Sequence, residues 1–164
     1  MNRERYKKTM EWLIAHKRFT KTAIFTEKLC ELAVYTIYPV FLLYLAVKGD
    51  EYFLRSALTC SIPFVLVSVL RKLLNAKRPY EVYGISAVMK KDKKGSSMPS
   101  RHVFSASIIA VSIFFVFPVL GIICGLLALI IAVERVLLGV HFIRDVLVGA
   151  VIGIVFGLAG SILF

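Results

Sequence analysis

The stretch VFSASIIAVSIFFVFPVLGIICGLLALIIAV, residues 103–133, contains no charged side chain. As one helix, at about 1.5 Å per residue, it would be roughly 46 Å long, too long for one pass of an apolar bilayer core of about 30 Å. Pro118 cannot continue a helix, and Gly121 follows it closely. The stretch reads as two lipid-spanning helices joined by a tight turn near Phe117-Pro118.

The flanks extend this pattern. Leu29–Val47 is apolar except for Glu31 near its start and is long enough to span. Gly49-Asp50 marks a turn. Tyr52–Leu74 is a second span, with Arg55 and the Arg71-Lys72 pair near its ends, where long cationic side chains reach the interface. Residues 76–101 are polar, basic and carry Pro79 and Pro99, so they read as a loop. Val146–Phe164 is the last span, and Gly149, Gly153, Gly157 and Gly160 give it a small-residue face for close helix packing. Residues 1–28 are basic with interleaved apolar positions. Met10, Trp12, Leu13, Ile14, Phe19, Ala23 and Ile24 fit an amphipathic helix lying on the membrane surface, with His16 at headgroup level. The expected fold is all-α: an integral membrane helical bundle of about five transmembrane helices plus an N-terminal interfacial amphipathic helix. Residues 1–28 form the basic segment and residues 29–164 the membrane domain.

Composition agrees. The chain of 164 residues is 59% hydrophobic, too apolar for an ordinary soluble domain. Its formal charge of +11 points to anionic lipid headgroups or phosphorylated substrates as partners. It does not point to nucleic acid, because no soluble basic domain is left to hold it. Cys30, Cys60 and Cys124 lie apart in apolar runs and read as membrane or core thiols. The N-terminus MNRERYKKTMEW lacks the early apolar region of a cleavable signal. Threading five spans puts residues 1–28, 76–101 and 134–145 on one membrane face. Of the 21 Lys and Arg, all but Lys48 and Arg55 lie there or at helix ends facing it. The positive-inside rule makes that face cytoplasmic in a multi-pass cell-membrane protein.

Three short segments meet on that face. ERVLLGVHFIRDV, residues 134–146, contributes Arg135, His141 and Asp145. His141 and Asp145 are four residues apart, so on a helix they share a face. A carboxylate that accepts one imidazole N–H fixes the tautomer and leaves the other nitrogen as a basic lone pair. The plainer alternative is an interface cluster of headgroup-level His, snorkelling Arg and helix-terminal Asp. MPSRH, residues 98–102, places Ser100 where it can cap a helix, whose N-terminus is an anion site, with His102 in the first turn. A helix start after proline accounts for Pro99 and Ser100 but leaves the histidine unexplained. RKLLNAKRP, residues 71–79, adds Arg71 and Arg78, and Pro79 forces Arg78 into an extended conformation. Boundary charge is the alternative there, and it suits Lys72 and Lys77. Three arginines with a serine hydroxyl and a helix N-terminus suit a tetrahedral dianion better than a carboxylate, because guanidinium forks match phosphate oxygens.

Taken together, Arg71-x6-Arg78-Pro79, Pro99-Ser100-Arg101-His102 and Glu134-Arg135-x5-His141-x3-Asp145 resemble the three ordered motifs of the type 2 phosphatidic acid phosphatase (PAP2) superfamily, Lys-x6-Arg-Pro, Pro-Ser-Gly-His and Ser-Arg-x5-His-x3-Asp. The resemblance covers roughly residues 52–164. It implies a membrane lipid phosphatase that uses no metal or other cofactor and acts on a lipid phosphate monoester or isoprenyl diphosphate. In that scheme His141 is the nucleophile, Asp145 orients it, and His102 is general acid and then base. Arg71, Arg78, Ser100, Arg101 and Arg135 hold the phosphoryl oxygens. Arg71 stands in place of the family's lysine, Arg101 in place of glycine and Glu134 in place of serine. Set beside many six-span relatives, which commonly place the site outside the cell, the expected count of five implies one N-terminal span fewer. That placement competes with the cytoplasmic assignment, and impermeant labelling of a cysteine at Lys93 separates the two. The competing functional classes are a non-catalytic anionic-lipid binder or phosphorylated-solute transporter, which needs the arginines but not His102 and His141 together, and an interfacial anchor, which needs only residues 1–28.

Overall fold

Helix boundaries follow the local chemistry. In a computed structural model that describes residues 2–89 and 94–163, seven helices run in order: α1 (Arg3–Ala15), α2 (Lys17–Lys48), α3 (Tyr52–Leu74), α4 (Pro79–Tyr83), α5 (Arg101–Phe114), α6 (Pro118–Leu137) and α7 (Ile143–Leu163). Lys93, the site chosen for labelling, lies outside the described residues. Asn2 caps α1, accepting from Arg5 N at 3.0 Å. Gly49 ends α2 in the left-handed conformation at φ +64°, where a glycine costs little. Pro118 starts α6, so the charge-free stretch breaks at its proline; Gly121 lies inside α6, close against Phe114.

Among the described residues, four helices are long and apolar enough to cross a membrane. Their outer faces expose Leu43, Val65, Leu129 and Val151, the inverse of a soluble surface. The protein is a multi-pass membrane protein. The fifth apolar helix, α5, has only 14 residues, about 21 Å at the standard rise. It is the central element. Every residue from Val103 to Ala110 is buried, and so are Ser112 and Ile113. α5 packs against α2, α3, α6 and α7. Ser105, Ser107 and Ser112 are tolerated there because they face protein and not lipid.

The glycine face of α7 brings it onto α5. A Cβ at Gly149 would lie 2.6 Å from Ser100 O, and one at Gly153 2.6 Å from Phe104 O, so the two backbones nearly touch. This contact sets Asp145, one turn before Gly149, beside the start of α5.

The N-terminal segment differs from expectation in two ways. α2 begins at Lys17 and runs unbroken through residue 28, so the first span and half of the basic segment are one helix. The apolar positions of α1 are also divided. Tyr6, Met10 and Leu13 are buried against Tyr83, Ile85 and Val88, whereas Trp12 and Ile14 stay exposed. α1 therefore docks on the polar end of the bundle. The Tyr6 hydroxyl donates to Gly139 O at 3.2 Å, in the turn that leads to His141. Burial pushes that phenol up to about 12 and keeps it a donor.

Candidate active site

Each site segment is placed by a break in a helix. α3 ends at Asn75, which takes a left-handed conformation, and Arg78 is extended before Pro79, as the proline demands. Gly139, at φ +76°, turns the chain out of α6, and His141 N donates to Arg135 O at 3.1 Å. Ser100 occupies the N-cap position of α5. Its backbone N donates to Asp145 O at 2.8 Å, and its side chain makes no cap hydrogen bond. The Ser100–Asp145 bond ties the second and third motif segments together, and Ser97 N, donating to Ala76 O at 2.8 Å, ties the loop before them to the first.

One side of the site consists of His141, Ser97 and Asp145, all buried. His141 precedes α7 instead of lying on it, so the pair does not share a helical face as the four-residue spacing suggested. His141 Nδ1 and Asp145 Oδ2 stand 3.7 Å apart, beyond hydrogen-bond range. Ser97 lies between them. Its hydroxyl donates to Asp145 Oδ2 at 2.5 Å, and its oxygen is 3.3 Å from His141 Nδ1. Asp145 Oδ2 also accepts from Phe142 N at 3.1 Å. Burial drives the His141 pKa down from the ordinary 6.5 to about 4. The nearby cations Arg78 and Arg135 push the same way, and Asp145 opposes them.

Arg71 and Arg78 frame the loop that carries Ser97. Arg71 donates through both terminal nitrogens to Pro99 O and Ser96 O. Arg78 Nε donates to Gly95 O at 3.2 Å, and Glu81 returns along the same loop, accepting from Gly95 N and from Arg78 N. The charges of Arg78, Arg101 and Asp145 all act on Arg71, so the three cations are neighbours. The Arg101 guanidinium also lies 5.7 Å above the Phe64 ring.

The other side is built by α2. Glu31 bridges two motif residues: one oxygen is 2.8 Å from His102 Nε2, the other 3.1 Å from Arg135 Nη2. Buried Glu27 reaches the same Arg135 nitrogen at 2.5 Å. Arg135 is almost wholly buried, and its Nε and Nη1, like Ser100 Oγ, have no hydrogen-bond partner among the described residues. Glu134, also buried, stands beside this group.

Sequence reasoning placed all eight candidate residues at this end of the bundle but missed Ser97, Glu27 and Glu31. For the two acids a signal was present: a carboxylate pair four residues apart at the mouth of an apolar span is costly unless a cation meets it. Ser97, in a Ser-rich loop, carried none.

The PAP2 superfamily model matches residues 51–164. Among solved structures, LpxE of Aquifex aeolicus superposes with a TM-score of 0.67 at 28% identity, over 87% of this chain and 86% of that one. The first transmembrane PAP2-type phosphatidylglycerolphosphate phosphatase from Bacillus subtilis gives a TM-score of 0.71 at 22% identity, over 97% of this chain and 82% of that one, a likeness of fold. No curated protein matches. The family match spans more than half of the chain and contains all three motifs, so the protein belongs to the PAP2 superfamily and is a membrane-embedded lipid phosphatase.

Proposed function

We propose that the protein hydrolyses a lipid phosphate monoester or isoprenyl diphosphate through a phosphohistidine, without a metal ion. The observation that carries this reading is the buried His141, held neutral, with Nδ1 turned to the Ser97–Asp145 pair. Its Nε2 lone pair is then the nucleophile. In the first step a bond forms between His141 Nε2 and phosphorus, the bond from phosphorus to the leaving oxygen breaks, and His102 gives that oxygen a proton. In the second step His102 takes a proton from water, the water oxygen bonds phosphorus, and the P–N bond breaks. General acid help of this kind is typically worth ~10²–10⁴-fold.

Positioning and charge do the rest. Ser100 Oγ and Arg135 Nε and Nη1 are the buried donors that phosphoryl oxygens would satisfy. The backbone N–H groups at the start of α5, a helix N-terminus, add an anion site. Arg71, Arg78 and Arg101 supply positive charge around it, and the first two also hold the loop.

The site opens at the polar end of a bundle with an apolar exterior, which favours a lipid over a soluble phosphate. Isoprenyl diphosphate, phosphatidate and phosphatidylglycerophosphate are the candidates, and the last is the class named for the Bacillus neighbour. The excess of Lys and Arg on this face supports a cytoplasmic orientation in the cell membrane.

The test is phosphate release by the purified protein in detergent with EDTA, on those three lipids, by wild type and His141→Ala. Turnover that disappears in the variant is the expected result. Turnover that survives the substitution, or needs a divalent ion, overturns the mechanism. No turnover on any of the three would overturn this choice of substrates and point to another phosphate ester.

A further inference from the structure

We propose that Ser97 is a positioning residue of this site, linking Asp145 to the nucleophile and fixing its tautomer. The proposal rests on the phosphohistidine reading above. Ser97 lies outside all three motifs, and its hydroxyl is the group that fills the gap between the carboxylate and the imidazole. Asp145 Oδ2 is 3.7 Å from His141 Nδ1, too far for a hydrogen bond, whereas Ser97 Oγ is 2.5 Å from the first and 3.3 Å from the second.

Proton counting sets the direction. A serine hydroxyl has one hydrogen. An ionised carboxylate only accepts, so at 2.5 Å that hydrogen belongs to the bond with Asp145. The serine oxygen then offers Nδ1 only lone pairs. His141 must therefore carry its proton on Nδ1, which leaves Nε2 unprotonated and nucleophilic. The opposite tautomer would set two lone pairs against each other in a buried site. Ser97 sits in an anchored loop. It is completely buried, and its backbone N donates to Ala76 O at 2.8 Å, between the Arg71 and Arg78 anchors.

The experiment compares Ser97→Ala, Ser97→Cys and Ser97→Thr with wild type in detergent. Threonine keeps the hydroxyl. Cysteine keeps the volume with a weak donor and serves if the alanine variant does not fold. The expected result is a loss of kcat of about 10–100-fold in the Ala and Cys variants, by analogy with the partners that orient metal-bound imidazoles. KM should stay within about threefold, and the threonine variant should keep most of the activity. A second readout does not need turnover. The chain has 3 histidines, so ¹⁵N-histidine spectra are assignable by single substitution. The Nδ1–H resonance of His141 should move or vanish in Ser97→Ala and Ser97→Cys and stay near wild type in Ser97→Thr.

Unchanged kcat in Ser97→Ala, equal losses in all three variants, or an unchanged His141 resonance overturns the proposal. If wild type turns over none of the lipids, the choice of substrates fails, and the resonance alone decides the role of Ser97.

Discussion

His141 is the residue with the clearest dependence on pH. Free histidine titrates near 6.5, and His141 in the fold near 4. Between those values the unfolded chain binds a proton that the folded chain refuses. Stability is therefore full above about 6.5 and falls as pH drops toward 4, by about 3 kcal/mol if this group acts alone. Thermal melts of the detergent-solubilised protein should show this decline, and His141→Asn should flatten it in the same window. On the proposed mechanism, the depressed value also keeps the attacking imidazole unprotonated at pH 5. An acid limb in the activity profile above that pH would have to come from another group. Tyr6 gives a milder prediction. Tyr6→Phe removes its bond to Gly139 O and leaves the ring packing, a loss of about 1 kcal/mol in unfolding free energy, with reduced activity through the His141 turn.

Among the helices, α2 and α7 show most directly how elements make the site. Glu27 and Arg135 are both buried, so removing one leaves the other in a poorly solvated place. Glu27→Ala should cost about 3–5 kcal/mol, read as a lower midpoint of inactivation, more than any exposed acid-to-alanine change in α1. The α7 test uses glycines. Gly149→Ala would put a Cβ 2.6 Å from Ser100 O and push Asp145 away from the start of α5, whereas Gly125→Ala meets nothing within 4 Å. Overpacking of this kind costs about 1–3 kcal/mol, so the first variant should lose activity and the second should not. Phosphate release measured side by side decides it. The glycine face was readable in the sequence because a three-to-four residue repeat has one structural use in lipid. The division of the α1 apolar positions was not, since amphipathicity alone does not say whether lipid or protein covers the face.

For the whole molecule, the apolar runs and their breaks at Gly49 and Pro118 were enough to recover the order of the apolar helices and the side on which the motifs gather. The central position of α5 was not readable. Its apolar composition matches that of a lipid-facing span, and only its neighbours reveal that it is enclosed. The motif residues were readable because their spacings are local. The partners of Ser97, Glu27 and Glu31 were not, because they lie 44 to 108 residues away along the chain, although the acidic pair itself stood out at the mouth of its span. Orientation also belongs to this scale. With the polar end in the cytoplasm, an impermeant thiol reagent should leave a cysteine placed at Lys93 unlabelled in intact cells and label it after permeabilisation.

The acidic pair of α2 gives that helix a fixed register. Glu27 and Glu31 face the site, while Val34, Phe41 and Leu45 on the same helix face the core. An α-helix turns about 100° per residue. A single alanine inserted between Glu31 and Val34 would swing both carboxylates toward lipid and strand Arg135, though every span would keep its length and hydrophobicity. Four inserted alanines, close to one full turn, would restore the facing at the cost of about 6 Å of height. A helix that served merely as a membrane anchor would be indifferent to the difference.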